Sequence, residues 1–426
     1  MKIKNISLRN FRGHKSLNIE FNDNLTVIAG ENGAGKSSIL DAISLGISWI
    51  VAKTRSLSGR GATIKLNDIN IDHKEAIVSC EFDDVEFITL SGKNIGGKVK
   101  QSNTSNETLR NYSAIVESNI SNNIAQNLPV FVHYGVRRAV IDIPLRIRSK
   151  SHDSIFETYD DWNKGGANFK SFFEWFRNQE DIENEKLRYW NKGSLFDLFI
   201  EDNLNREQTQ FQPDRELSTV RHALQSFMPD YNNARVSRRP LRMLIDKGSD
   251  TLNVEQLSDG EKIYFALIGD LCRRLVLANP IMEDPLQGEG IVLIDEVDLH
   301  LHPNWQKDIA VRLTEVFPNI QFIITTHSPL VLTNVPTGSV RFLKDNEVLS
   351  TTSLYGLPAS IILKDKMGLK NELPLEVETL ISEITKYIDS KDLNEAQAAY
   401  DKLKELTPDH PELVRFEFFI NRLKMR

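Results

Sequence analysis

The chain has 426 residues, a formal net charge of −7, and 40% hydrophobic and 26% charged side chains, which fits a globular protein of two or three domains and excludes a fibrous or disordered chain. Cys80 and Cys272 are the only cysteines. They are too few for a disulfide framework and stand too far apart for a zinc or redox pair, so they are expected to be ordinary core or near-surface residues in a reducing cytoplasm. The negative balance offers nucleic acid no general attraction. No apolar run approaches the roughly 18 residues of a membrane span, and the opening MKIKNISLRNF alternates like a strand, so neither secretion nor membrane insertion is expected.

The first informative element is Gly30-Glu-Asn-Gly-Ala-Gly-Lys36-Ser37, set between the apolar run Leu25 to Ala29 and the helix-patterned run Ile39 to Leu45. Backbone N–H groups in a glycine-rich loop at a helix N-terminus favour an anion. The Lys36 ammonium reaches β- and γ-phosphates, and the Ser37 hydroxyl suits Mg²⁺. The strand before and helix after favour a phosphate site over a simple turn. Basic side chains cluster at Arg137, Arg138, Arg146, Arg148 and Lys150, and again at Arg235, Arg238, Arg239 and Arg242. Such clusters are solvated faces or nucleic-acid contacts, and the solvated reading is favoured.

Between about 140 and 250 the sequence lacks sustained heptads, and two antiparallel helices drawn from it would reach at most roughly 80 Å at 1.5 Å per residue. A compact helical lobe is expected there, with no long arms. Phe169, Phe172, Phe173, Trp175 and Phe176 crowd one helix start before the polar run RNQEDIENEK. Aromatics at this density indicate core or interface rather than a platform for stacking bases.

Leu257-Ser-Asp-Gly-Glu-Lys262 precedes a helical pattern from Ile263 to Leu277, and on its own Ser258 reads as an N-cap with an acidic residue at N3. Ile291 to Ile294 is wholly apolar, like a central parallel strand, and ends in Asp295-Glu296. A magnesium site and a water-activating base belong at such an end, with Asp295 holding the metal through a water and Glu296 facing the attacking water. With Asp298, His300 and His302 these acids could suggest a transition-metal cluster. Nucleotide chemistry already accounts for the acids, and the loop lacks the helical spacing of metal ligands. Gln321 to Thr326 forms another apolar strand and delivers His327 to its carboxyl end, where it can donate to a γ-phosphate.

The tail carries an amphipathic run from Leu373 to Ile388. A second helix, Leu393 to Leu406, has Ala396, Ala399, Tyr400, Leu403 and Leu406 on one stripe, and a third follows Pro408 and Pro411. One such pair resembles a tetratricopeptide-like unit, but with no second copy it makes no solenoid.

In this order the elements resemble the ABC-type ATPases of the group that holds RecF, Rad50 and SMC heads and the OLD-family ATPases. The matching parts are a Walker A loop (Gly30–Ser37), a signature LSDGE (Leu257–Glu261), a Walker B strand (Ile291–Glu296), a D-loop (Asp298) and a switch histidine (His327). Leu8-Arg-Asn-Phe-Arg12-Gly-His14 is similar to the segment that lies near the nucleotide in those heads, and Ser58–Ala62 resembles the segment approaching the adenine. The resemblance implies an α/β fold: an ABC-type P-loop ATPase head with a mixed central sheet and an antiparallel β meander, a helical insert and a C-terminal helical module. It implies ATP and Mg²⁺ as cofactors. Nucleotide contacts would come from Arg12, Asn32, Gly33, Gly35, Lys36, Ser37 and Ser38, and from Ser258 and Gly260; Ser37 and Asp295 would hold the metal, and Glu296 and His327 would be catalytic. It also implies a head-to-tail dimer in which the signature of one copy closes over ATP held by the other, so that hydrolysis releases or rearranges the pair. One residue departs from the pattern. Tyr134, in Val130-Phe-Val-His-Tyr134-Gly135, stands where those heads carry a glutamine, which points to slow hydrolysis.

The expected domains are 1–135 (N-terminal lobe of the head), 136–250 (helical insert), 251–350 (C-terminal lobe) and 351–426 (helical partner-docking tail). No Asp-x-Asp pair with an upstream Glu follows the switch region, and no HNH arrangement occurs, so the chain reads as an ATPase that regulates another protein. A short head with the Tyr134-Gly135 segment, an FFEWF-type insert and a helical tail resembles the ATPase subunit of Septu-type anti-phage defence systems, also found as retron accessory proteins, whose partner is a small HNH nuclease. The resemblance implies a cytoplasmic homodimer or higher oligomer controlling that nuclease, with direct DNA contact left open. The alternatives are a RecF-like DNA-repair ATPase that clamps DNA and a transporter's cytosolic engine; the acidic signature and the lack of membrane-coupling helices count against the latter.

Overall fold

The computed structural model describes residues 1–103, 107–122, 124–136, 154–197, 213–350, 353–369 and 373–424. It divides into two compact units, Met1–Leu357 and Pro358–Arg426. In chain order the first unit holds β1 (Ile3–Phe11), β2 (His14–Glu20), β3 (Leu25–Gly30), α1 (Lys36–Arg55), β4 (Glu75–Phe82), β5 (Glu86–Ile95), β6 (Lys98–Asn103), α2 (Glu107–Ser121) and β7 (Val130–Tyr134). It continues through α3 (Phe169–Asp197), α4 (Arg215–Phe227), β8 (Tyr231–Arg238), β9 (Leu241–Lys247), β10 (Asp250–Asn253), α5 (Asp259–Ala278) and β11 (Gly290–Ile294). The last elements of this unit are α6 (Pro303–Val316), β12 (Ile320–Thr326), α7 (Pro329–Thr333), β13 (Val340–Lys344) and β14 (Glu347–Ser350).

The strands β3, β7, β11 and β12, buried at every residue, pair in parallel as strands covered on both faces do. They build a sheet in the order β14-β13-β3-β12-β11-β7, with only β14 antiparallel. The alternating sequences of β1 and β4 bury one face only, and they join β2, β5 and β6 in an antiparallel meander ordered β2-β1-β4-β5-β6. Helix α1 lies between the two sheets. Ile39, Ile43, Ile47 and Ile50 meet Ile6, Val78 and Cys80 of the meander and Leu293 and Ile323 of the parallel sheet in one core. Both cysteines are free and buried.

Helix α5 packs against α3 through aromatic rings, Phe172 lying 6.1 Å from Phe265 and 5.7 Å from Phe176 between ring centroids. Phe169, Phe172, Phe173, Trp175 and Phe176 are all buried, so the dense aromatic run is core. The expected helical insert needs correction in its second half. Residues 231–253 form the antiparallel sheet β10-β9-β8, because Ala234 and Val236, and Met243 and Ile245, alternate inward and Gly248 takes the positive φ of a turn. The basic run Arg137–Lys150 lies outside the described residues. In the other cluster, Arg235 pairs with Asp246 and Arg238 with Glu180 and Asp181, while Arg239 and Arg242 are exposed.

The second unit begins at Pro358 rather than 351, since Leu354 is buried in the first. It contains α8 (Ala359–Asp365), α9 (Leu375–Asp389), α10 (Leu393–Leu406) and α11 (Glu412–Lys424). Val377, Ile384, Ala399, Leu403, Phe416 and Ile420 form its core, as the helical stripes predict.

A Cβ at Gly269 of α5 would lie 2.7 Å from the Phe172 ring. Gly269→Ala should therefore cost about 1–3 kcal/mol by overpacking and lower the urea midpoint; an unchanged midpoint would show that the aromatic contact is loose.

Candidate active site

The site gathers where β3, β11 and β12 end side by side. After β3 the chain turns through Gly33 and Gly35, both at positive φ, and enters α1 at Lys36. Gly35 must be glycine for a second reason, because a Cβ there would lie 2.4 Å from the His14 ring, whose Nε2 is 3.2 Å from the Gly35 carbonyl. The loop thus leaves Asn32, Gly33 and Ser37 exposed to a ligand. Ser38 is half-buried on the first turn of the helix.

Lys36 itself is buried. Its ammonium donates to the carbonyls of Gly30 (2.9 Å) and Glu31 (3.0 Å) and to His327 Nδ1 (3.4 Å). Lysine has only donors, so His327 accepts at Nδ1. Burial lowers the Lys36 pKa, while Glu296, Asp295 and Asp298 pull the other way. His327 is lowered by burial and by the Lys36 charge, against the same three acids. The four predicted charged groups Lys36, Asp295, Glu296 and His327 therefore form one electrostatic cluster.

Thr325, two residues before His327, organises the acids. Its hydroxyl donates to Asp295 Oδ1 (2.6 Å) and accepts the Glu296 N–H (2.7 Å). Glu296 takes φ 47°, a conformation seldom adopted without glycine, which turns its side chain out of the strand alternation. Thr326 donates to Asp298. Ser37 and Asp295 offer hard oxygen donors of the kind Mg²⁺ takes beside phosphate oxygens. Bound there, the ion would neutralise charge on the β- and γ-phosphates.

Geometry locates two segments that the sequence singled out. Tyr134 does not face this cluster. It is fully buried, and its hydroxyl donates to Asp270 of α5 (2.9 Å), which also takes Arg274 Nε (2.8 Å). Burial alone would raise the Asp270 carboxyl, but Arg274 and Arg273 outweigh it and hold it low. His133 of β7 faces α1, with Nδ1 2.9 Å from Ser44 Oγ and 4.0 Å from Asp41. Ser58–Ala62 lies against the second half of α1, where the Ala62 N–H donates to Ser48 Oγ and Trp49 Nε1 donates to the Ala62 carbonyl. The segment beside Arg12 is Lys65–Asp68.

Arg12, at φ 50°, donates to Asp41 (2.5 Å) and Asp68 (3.0 Å), which places it about one helical turn beyond Ser37. Asp41, Asp68, His14, His133 and Thr325 were not singled out by the sequence reading. The signal for two of them was a polar residue in an apolar strand, as in VFVHY and FIITTH.

The signature caps α5. Ser258 is exposed; its N–H and Oγ both lie 2.8 Å from Glu261 Oε2, and its Oγ accepts the Glu261 N–H. Glu261 is in turn held by Tyr231 and Lys247. At Gly260 a Cβ would lie 2.2 Å from the His300 carbonyl of the D-loop. Among the described residues Ser258 hydrogen-bonds nothing in the phosphate loop.

A family model described as "AAA domain, putative AbiEii toxin, Type IV TA system" matches residues 25–333, and the chain belongs to this family of ATPases. A "Retron Vc95 probable ATPase" of Vibrio cholerae serotype O1 biovar El Tor is 32% identical, over 96% of this chain and 87% of the relative. A "Retron Ec83 probable ATPase" of Escherichia coli is 32% identical over 82% and 72%. The Septu protein PtuA of Bacillus thuringiensis is 25% identical over 96% and 95%. Among solved structures, an SMC head bound to the C-winged helix domain of ScpA aligns at a TM-score of 0.45 and 17% identity, over 83% of this chain and 98% of that one. The protein is an ATPase with PtuA-like relatives.

His133 and His327 both titrate below the ordinary 6.5 in the folded chain, His133 through burial against the opposing charges of Asp41 and Asp295. The unfolded chain therefore takes up these protons first as pH falls, so stability rises with pH and is lost below about 6.5. The thermal midpoint of the nucleotide-free chain should be lower at pH 5.5 than at 7.5, and by a smaller margin in His133→Asn. An equal drop in that variant would remove His133 from the account.

Proposed function

We propose that the protein is the ATP-binding regulatory subunit of an anti-phage defence complex, in which two copies associate head to tail around ATP and control a partner nuclease of the small HNH type. The observation that carries the reading is the division of labour within one chain. A phosphate loop with its acids and histidine is gathered at one strand-end cluster, and the exposed Ser258 at the N-terminus of α5 makes no hydrogen bond to that loop among the described residues. A helix N-terminus presents donors and partial positive charge that an anion would satisfy. In the proposed dimer this anion is the γ-phosphate held by the second copy.

On this reading Lys36 and the loop N–H groups bind the phosphates, and Ser37 and Asp295 hold Mg²⁺. Glu296 accepts the proton of the attacking water, and His327, released from the Lys36 ammonium, donates to the γ-phosphate from Nε2. Hydrolysis removes the charge gripped from both sides and so loosens the pair. Similarity to retron ATPases and to Septu PtuA proteins supports the defence setting. The helical unit from Pro358 onward, with Leu375, Val414 and Phe418 exposed, is the proposed docking element for the nuclease.

Lys36→Ala should abolish ATP binding by calorimetry; unchanged affinity would refute the phosphate-loop assignment. Glu296→Gln should bind ATP with turnover down at least about a hundredfold and collect as dimer on a sizing column, whereas full turnover would exclude Glu296 as the base. Deleting residues 358–426 should spare ATP binding and abolish co-purification with the product of a neighbouring HNH open reading frame. Persistent co-purification would place the docking surface elsewhere.

A further inference from the structure

Away from the phosphate loop, the far end of α1 walls a cavity of about 690 Å³, within the range of small-molecule sites. Trp49 and Lys53 enter it from α1, Arg60 from the loop after that helix, Ile88 from β5, and Leu109 and Arg110 from α2. At 1.5 Å per residue, Trp49 stands about 18 Å and Lys53 about 24 Å along α1 from Ser37, so this cavity is separate from the phosphate loop.

Its charge is one-sided. Lys53, Arg60 and Arg110 line it, and among the described residues no carboxylate does and none of the three forms an ion pair. The neighbouring Arg55, outside the cavity, is paired with Asp160. A recess lined by one sign of charge over apolar walls concentrates the opposite charge. The apolar part is also in place: Ile88 and Leu109 are buried, and the indole of Trp49 is fixed by its hydrogen bond to the Ala62 carbonyl (3.0 Å).

The loop that carries Arg60 is built to lie on the helix. A Cβ at Gly59 would fall 2.0 Å from the Ala52 carbonyl, and one at Gly61 would fall 2.5 Å from the Trp49 ring. Two glycines thus press the backbone against α1 on either side of an arginine held at the rim. Ser48 Oγ accepts the Ala62 N–H at 2.7 Å and pins the loop's far end.

We propose that this cavity binds an anionic aromatic small molecule of mononucleotide size, its phosphate among Lys53, Arg60 and Arg110 and its ring against Trp49 and the apolar wall. This is a second ligand site, on the helix that begins at the phosphate loop, and it does not depend on the nuclease reading.

The test uses the full chain carrying Lys36→Ala, titrated calorimetrically with AMP, GMP, CMP, UMP and inorganic phosphate. At least one mononucleotide should bind this variant as it binds the unaltered chain, and phosphate alone should bind more weakly. Adding Arg60→Glu with Arg110→Glu should weaken that binding at least about tenfold, since two charged contacts are lost, with the thermal midpoint unchanged. Failure of every mononucleotide to bind Lys36→Ala at millimolar concentration, or binding that survives the double charge reversal, would overturn the proposal. In the unaltered chain, photolabelling with 8-azido-AMP should mark peptides containing Trp49 or Arg110; labelling confined to the phosphate loop and Arg12 would overturn it as well. Loss of ATP binding in Lys36→Ala bears only on the phosphate loop, so the two readings fail separately.

Discussion

The buried ammonium of Lys36 is the interaction on which the site depends. Its three donors are spent on the Gly30 and Glu31 carbonyls and on His327 Nδ1, so one charge holds the phosphate loop closed and ties it to the end of β12. Burial pulls its pKa down, and the nearby acids Glu296, Asp295 and Asp298 oppose that shift. In the proposed function an arriving triphosphate would compete for these same donors and free His327, whose acceptor nitrogen faces Lys36 and whose other nitrogen carries the proton.

Around this charge the parallel sheet acts as a frame. The backbone N–H of Asp295 donates to the Tyr134 carbonyl (2.8 Å), and that of Val297 donates to the Thr325 carbonyl (2.9 Å), so the acidic turn is clamped between β7 and β12. Tyr134 also reaches Asp270 on α5, the helix capped by Ser258. The signature helix is thereby bolted to the strand beside the acids by a buried phenol, carboxylate and guanidinium. A buried pair of this kind is strongly destabilised when one partner is removed. Tyr134 in this chain thus serves the packing between sheet and helix, and its carbonyl, rather than its side chain, touches the acidic turn.

Much of this was legible in the sequence because it rests on local patterns. GENGAGKS between an apolar run and a helix specified loop, strand and helix together, and the apolar strands ending in Asp295-Glu296 and His327 were paired side by side as expected. The aromatic run from Phe169 was core, as its density suggested. What local pattern did not reveal depends on contacts distant in sequence. The roles of His14 under Gly35, of Asp68 beside Arg12 and of Thr325 between the two acids arise only when separate strands meet. The direction of Tyr134 depends on strand parity, and a one-residue difference in parity moves a side chain to the other face of the sheet. The sheet at 231–253 was overlooked because its strands are short and half polar, a weaker pattern than the helices around them.

The central claim is that a complete site draws Lys36 from one copy and Ser258 from another. Mixing two inactive variants tests this most directly, one with Lys36→Ala and the other with Ser258→Arg, each folded by its thermal midpoint. The account predicts that the mixture regains ATP hydrolysis, because a mixed dimer contains one site with both residues intact. If each variant is inactive alone and the mixture stays inactive although mixed dimers form, the composite site is contradicted.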